Sequence, residues 1–250
     1  MIVLKTGREL QIMKEACRIS AGALKLVGEA VKPGVTTAEL DKIAEKYILS
    51  QGGTPNFKGY NGYPATACIS INNEVIHGIP SKNRVIKNGD IVSVDLGACY
   101  MGYHGDNAAT FAAGEISPEA KRLIDTTKES LYEGIKMACV GNRIGDISYA
   151  VQSYVEARGY SVVRKFVGHG VGTSLHEAPE VPNFGTRGRG VRLAAGMTLA
   201  IEPMVNVGDY DVKILPDGWT VLTKDGSLSA HFEHTVAITS DGPKILTVAE

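Results

Sequence analysis

The chain has little of what would direct it to a membrane, a nucleic acid or an oxidising compartment. No apolar run in its 250 residues reaches the roughly 18 needed to span a bilayer. The opening MIVLKTGREL has neither the apolar core nor the small-residue cleavage site of a signal peptide, so a cytoplasmic protein is expected. Lysine and arginine number 26 against 27 acidic residues, and a net charge of −1 offers no basic field to a nucleic acid. The four cysteines, Cys17, Cys68, Cys99 and Cys139, form no C-x-x-C. That argues against a disulfide framework and a zinc ribbon, and buried or half-buried free thiols are expected. No G-x-G-x-x-G or Walker sequence cradles a phosphate.

What is present is ordinary for a soluble enzyme: 44% hydrophobic and 21% charged residues, enough to bury a large core. Thr6 followed by Glu9 reads as a capping box, and apolar residues at Ile12, Ala16, Ile19 and Ala23 continue a helix to Val31. Thr36 and Glu39 cap a second helix to about Gln51, which Gly52-Gly53 ends. Residues 54–81 are rich in Gly, Pro, Asn and Tyr around one strand, Ala67 to Ile71, and such loops often line a site. Ile91 to Gly97 reads as a strand, and a Met-Gly turn folds it into a hairpin. Ser117-Pro118 starts a third helix to about Ala138, and a fourth runs from about Ile147 to Arg158. GTRGRGVRLAAG reads as a solvated loop, and the chain ends in a strand, Glu233 to Ile238, and a short tail.

The second half repeats the first at an offset of 107 positions. Gly34 falls on Gly141, Leu40 on Ile147, Gly52 on Gly159, Gly89 on Gly196 and Asp95 on Glu202. Two helix–helix–strand halves, about 1–110 and 111–250, are therefore expected within a single catalytic domain spanning 1–250. Equivalent acidic residues would face each other across the pseudo-two-fold axis, in a cleft between two sheets.

Five residues in apolar strands or glycine-rich turns are candidate metal ligands: Asp95, Asp106, His169, Glu202 and Glu233. Taken singly, each is most often a solvated or hydrogen-bonded side chain. Together they pose an electrostatic problem, because desolvated carboxylates repel and must take up protons or bind a cation. Oxygen-rich sites with one imidazole suit Mn, Fe or Co, and Zn remains open. Four carboxylates are too much charge for one divalent ion, so two ions are expected, a site suited to metal-assisted hydrolysis of a carbonyl compound. His77 and His176 are candidates to donate to a substrate carbonyl or to move a proton. Tyr60, Tyr63, Cys68 and Trp219 are candidates for an apolar pocket wall.

The blocks SINNEVIHGIP, VSVDLGACYMGYHGDNAATF, GHGVGTSLHEAPEVPN, MTLAIEPM and SAHFEHTVAIT, in this order, closely resemble the type I methionine aminopeptidases in their short, bacterial form. The resemblance covers nearly the whole chain. It implies an α+β pita-bread (creatinase/aminopeptidase) fold around a central metal cleft, and a monomer. It implies removal of the initiator methionine from nascent polypeptides when the second residue is small, with a metal-bridged water or hydroxide attacking the scissile carbonyl. Asp95 would chelate one of two divalent ions (Co, Mn, Fe or Zn), Asp106 and Glu233 would bridge both, and His169 with Glu202 would complete the other. Glu202 would accept a proton, His176 would hold the developing oxyanion, and His77 would lie near the scissile nitrogen. Tyr60, Tyr63, Cys68, His77 and Trp219 match the methionine pocket. The family further implies a monovalent cation site (Na or K) near Asn72 and Ser229, and transient ribosome contact.

Two positions depart from the family pattern. Leu175 stands where phenylalanine is common, which would loosen the pocket wall. His231 stands where glutamine is common, which would alter the hydrogen bonding behind the metal. The rival readings are an aminopeptidase P or prolidase of the same fold, and a non-catalytic peptide- or protein-binding module. Turnover of X-Pro against Met-Ala-Ser peptides separates the first, and metal-dependent turnover the second.

Overall fold

The structure, a computed structural model, describes residues 2–249. Helix α1 spans Gly7–Ala30 and α2 spans Thr37–Ser50. Both start at the expected threonine, whose hydroxyl accepts the N–H of the glutamate three residues on. That glutamate in turn accepts the threonine N–H, so two orphan donors are satisfied at once. Helix α3 is Pro118–Lys136, capped by Ser117. Helix α4 is Ile144–Glu156, three residues earlier than expected at its start, because Asp146 rather than a hydroxyl closes the turn by accepting the Arg143 N–H.

Among the described residues fifteen strands follow one another between and after the helices. They are β1 (Thr54–Pro55), β2 (Ala67–Ile71), β3 (Glu74–Ile76), β4 (Ile91–Tyr100) and β5 (Tyr103–Ala112) in the first half. The second half holds β6 (Ser161–Val162), β7 (Gly168–Gly170), β8 (Glu177–Val181), β9 (Thr198–Ile201) and β10 (Met204–Asn206). It continues with β11 (Val212–Ile214), β12 (Val221–Thr223), β13 (Ser229–His231), β14 (Glu233–Thr239) and β15 (Gly242–Ile245). The β4–β5 hairpin turns on two residues, Met101 and Gly102, both at positive φ (48° and 79°), the backbone that matches strand twist. Where a tail was expected after Ile238, β15 folds back onto β14 instead, since Ser240 and Asp241 form a two-residue turn that sets Gly242 opposite Thr239. Strand β12 begins two residues after Trp219 and pairs with both β11 and β3.

The main sheet runs β1-β4-β5-β14-β9-β7-β8, with β2 on β4 and β15 on β14. Strands β5 and β14 pair directly, Glu233 opposite Ala108 and His234 opposite Asn107. This corrects the cleft between two sheets: the halves share one continuous sheet, because pairing at the axis satisfies backbone groups that two separate edges would leave open.

Single hydrogen bonds recur at an offset of 107 positions. Gly34 donates to Ile86 O and Gly141 to Leu193 O; Ile86 donates to Val35 O and Leu193 to Asn142 O. Isolated bridges Thr36–Val85 and Arg143–Arg192 are 107 positions apart at both ends. The paired glycines have matching φ, 93° and 94° for Gly34 and Gly141, 92° and 91° for Gly89 and Gly196.

Side-chain alternation then decides where the site lies. Val94 and Leu96 of β4 pack with Ile19, Leu40 and Ile48 of α1 and α2. Leu199 and Ile201 of β9 and Val236 of β14 pack with Leu131 and Ile147 of α3 and α4. One residue off this pattern, Asp95, Glu233 and, just past β9, Glu202 face away from the helices. Two small three-stranded sheets, β13-β10-β6 and β11-β12-β3, complete the structure. All four cysteines are free, Cys17 and Cys68 buried, Cys99 and Cys139 half-buried, as expected. No helix among the described residues is long and apolar enough to cross a membrane.

Candidate metal centre

The face of the sheet away from the helices opens into a cavity of about 340 Å³. Asp95, Asp106, His169, Glu202 and Glu233 all line it, as do Tyr60, Tyr63, Cys68, His77, Leu175, His176 and Trp219. The structure thus brings together every residue singled out as a ligand or pocket candidate. Asp95 and Asp106 reach it from the same hairpin, Asp95 opposite Ala108 and Asp106 opposite Gly97. Gly97 is glycine for a reason: a Cβ there would sit 2.8 Å from the Gly105 carbonyl and 3.0 Å from Asp106 Oδ1. Thr235 fixes the Asp106 backbone by accepting its N–H and donating to its carbonyl.

Ligand atoms of Asp106, His169 and Glu233 lie within 4.8 Å of one another. His169 Nε2 is 3.9 Å from Asp106 Oδ2 and 3.6 Å from Glu202 Oε1. His169 Nδ1 is engaged with the Gly170 carbonyl at 2.8 Å, which leaves Nε2 as the nitrogen free to ligate. Asp95 lies outside the tight group but within the same cavity.

Electrostatically the site is incomplete as protein alone. Asp95 Oδ1, Asp106 Oδ1 and Glu233 Oε1 are buried with no hydrogen-bond partner among the described residues. Burial pushes the Asp106 carboxyl up to about 7. Burial, then the charge of Asp106, drives Asp95 well above the usual carboxylate range. Glu202 is driven up by burial and by Asp95 and Asp106, and Glu233 by burial, Asp106, Glu202 and Asp95. Burial and the neighbouring His176 lower His169 to about 4, so its imidazole is neutral, the form that binds metals. Unpaired buried oxygens, mutual repulsion and a neutral imidazole fit a multivalent cation.

Beside the metal candidates stands an apolar pocket. Phe57, Tyr63, Ala65, Cys68 and Leu175 pack together, with Trp219 against them. Tyr63 and Trp219 meet edge to face at 5.0 Å. Burial raises the Cys68 thiol well above its ordinary value, so it serves as a small apolar wall. His176 Nδ1 bonds to Tyr60 Oη at 2.8 Å, leaving Nε2 for a ligand. His77 holds a positive φ of 60°, unusual for a residue with a Cβ, between the rings of Phe166 and Trp219. Burial lowers it to about 4.

Sequence reasoning missed Phe57 and Asn61 in this lining. The signal was the aromatic, glycine-rich loop around them, which reads as the kind that lines a site without singling these two out. It also missed Phe166, which reaches His77 from a segment with no periodicity of its own. His231, the residue expected to alter the hydrogen bonding behind the metal, has both ring nitrogens buried without a bond among the described residues, with Nε2 3.7 Å from Glu202 Oε2.

A helix-backed curled sheet that buries acidic groups and one neutral imidazole beside an apolar pocket defines a metal-dependent hydrolase of peptides. The chain belongs to metallopeptidase family M24, whose profile matches residues 11–240. It is 56% identical over its whole length to a methionine aminopeptidase of Clostridium acetobutylicum, covering all of that protein. It is 54% identical to methionine aminopeptidase 1 of Bacillus subtilis, with 99% of each chain covered. The crystal structure of methionine aminopeptidase from Thermotoga maritima superposes with a TM-score of 0.98 at 48% identity, covering both chains fully. The prolidase of Pyrococcus horikoshii OT3 shares the pita-bread fold more distantly, with a TM-score of 0.80 and 25% identity over 65% of its length. The pita-bread fold and the short bacterial form are therefore as expected.

Proposed function

We infer that this chain removes the initiator methionine from polypeptides whose second residue is small. The observation that carries the reading is one cavity in which buried, unpaired carboxylates adjoin a pocket walled by Tyr63, Cys68, Leu175 and Trp219. An unbranched thioether suits that pocket, because it is long, apolar and makes favourable contacts with ring edges.

The donor set fits two divalent ions, which Asp95, Asp106, His169, Glu202 and Glu233 would hold between them. Bound there, divalent metal supplies Lewis acidity and a water acidic enough to attack a carbonyl at neutral pH. The remaining work belongs to the side chains. Glu202, which lines the cavity with its Oε1 3.6 Å from His169 Nε2, accepts the proton that the attacking water gives up. His176 offers Nε2 to the substrate carbonyl, its ring set by Tyr60 Oη and stacked on Tyr60 at 5.2 Å. His77 stands on the side of the scissile nitrogen. Leu175, smaller than a phenylalanine, leaves the pocket wall looser.

The reading extends to a cytoplasmic monomer that acts on emerging chains and touches the ribosome only transiently. It also includes a carbonyl-built Na or K site near Asn72, held at φ 59° and accepting the Ser229 N–H at 2.9 Å. The test is hydrolysis of Met-Ala-Ser and Leu-Ala-Ser by metal-free protein titrated separately with Mn, Fe, Co and Zn. Metal-dependent turnover confined to Met-Ala-Ser is expected, and the most activating ion ranks the candidates. X-Pro turnover in preference to Met-Ala-Ser, or no turnover with any ion, overturns the reading.

A further inference from the structure

The turn that carries His176 is tied to the start of the chain by an ion pair outside the site described above. Lys5 Nζ donates to Glu177 Oε2 at 2.5 Å, with the two side chains only 3% and 11% exposed. Every other lysine or arginine ion pair among the described residues is more open to water. Exposed pairs of that kind contribute little, whereas breaking a sealed one leaves a charge buried without a partner.

The rest of the Glu177 carboxylate closes the turn on itself. Its Oε1 accepts the Ser174 N–H at 3.2 Å and the Thr173 hydroxyl at 3.4 Å. The lysine packs so tightly beneath the turn that a Cβ on Gly172 would lie 2.5 Å from both Glu177 Oε1 and Lys5 Cε. Lys5 is itself fixed: its N–H donates to the Gly196 carbonyl at 2.7 Å, and the next residue caps α1. On the other side, the His104 N–H of β5 donates to the Gly172 carbonyl at 2.9 Å. Residues 172–177 are thus held between the first residues of the chain and the hairpin that carries Asp106. The two side chains preceding Glu177 are Leu175 and His176, and both line the cavity.

We propose that Lys5 is a positioning residue, which through Glu177 fixes the 172–177 turn so that His176 meets the substrate carbonyl and Leu175 closes the pocket. The inference rests on the reading of His176 as a substrate contact. Losing the lysine would leave the carboxylate sealed without its cation, and the turn would open to hydrate it. A displacement near 1 Å at a group that contacts the reacting atoms is enough to cost about 100-fold in rate.

The first measurement is hydrogen–deuterium exchange in metal-free protein. Lys5→Met is expected to accelerate exchange within residues 172–177, while amides of α2 and α3 keep their protection. The second is kinetic. With Met-Ala-Ser, Lys5→Met is expected to lower kcat about 10- to 100-fold with a smaller change in KM. In a His176→Ala background the same substitution should change kcat less than about 2-fold, because the group it positions is gone. Lys5→Met combined with Glu177→Gln should recover most of the loss, since no unpaired charge remains and the amide oxygen still accepts the Ser174 N–H. Unchanged exchange in 172–177, an equal loss in both backgrounds, or a double variant no better than Lys5→Met overturns the proposal. If the unaltered enzyme shows no turnover at all, the functional reading fails, while the exchange result still decides whether Lys5 holds the turn.

Discussion

Asp106 is 3% exposed, its Oδ1 has no partner among the described residues, and burial holds its carboxyl near pH 7. A side chain in that position costs the protein stability until a cation arrives. Asp106→Asn keeps the shape and removes the charge. Metal affinity, followed by isothermal titration calorimetry, should fall at least about 100-fold. The metal-free variant should gain about 1–2 kcal/mol over metal-free parent at pH 8 in urea denaturation, because a repelling charge is gone. A loss of stability would mean that the carboxylate is better satisfied than its geometry indicates. His231 makes a complementary case. It is 1% exposed, bonds to nothing through its ring, and burial lowers it to about 3. A neutral imidazole 3.7 Å from Glu202 Oε2 needs only a small shift to donate to it. His231→Ala should therefore weaken metal binding about 10-fold, with the calorimetric affinity as the check.

At the scale of elements, close backbone approach places the ligands. Strand β5 passes under α1 at Gly105, where a Cβ would lie 2.6 Å from the Cys17 Cα and N. Those are backbone atoms of a helix and cannot step aside. Gly105→Ala should cost about 1–3 kcal/mol in chemical denaturation and lower activity as well, because Asp106 is the next residue. Thr36→Ala is the contrast: it removes a cap far from the cavity, and should cost about 1 kcal/mol with turnover unchanged. The two cases also mark what the sequence made legible. Caps are local chemistry, so the starts of α1, α2 and α3 could be read within a residue, whereas α4 has no hydroxyl cap and began earlier than its apolar period suggested. The β4–β5 hairpin was readable from alternation and a two-residue turn. Strands β3, β12 and β15 were not, because three or four residues show no period; β3 and β12 become strands by pairing with each other across the sequence, and β15 by folding back onto β14. Four of the five ligand candidates could be picked out because acidic residues in apolar strands are anomalies, and His169 by its place among glycines. Phe57 and Phe166 carry no such anomaly, and only the folded chain brings Phe57 to the cavity and Phe166 against the His77 ring.

At the scale of the whole molecule, the site lies where the two halves meet, since β5 and β14 join the halves and carry Asp106 and Glu233. Metal there ties one half to the other, and its removal should register as a pH-dependent loss of global stability. Two sets of groups titrate in opposite senses. His77, His169 and His234 are lowered by burial to about 4, and His231 to about 3. An unfolded histidine titrates near pH 6.5, so between about 4 and 6.5 the unfolded chain binds more of these protons, and their contribution favours the fold increasingly as pH rises. Above that window they contribute no further change. The carboxylates act in reverse. An unfolded aspartate or glutamate has lost its proton by pH 5, but folded Asp106 keeps its own to about 7, and Asp95, Glu202 and Glu233 stay protonated well above the usual range. The folded chain then holds more protons, and stability drains away as pH rises through those folded values. In metal-free protein, the unfolding free energy should therefore decline as pH rises above about 6.5 and through the value of about 7 at Asp106, where the histidines no longer titrate. Saturating divalent metal should remove the decline, because the ions compensate the ionised carboxylates, and should add about 2.7 kcal/mol at 100 times the dissociation constant. Urea denaturation at four pH values with chelator and with metal tests both statements. A flat profile in chelator would show that the four carboxylates ionise without penalty, and the electrostatic case for a metal at the junction of the halves would fall with it.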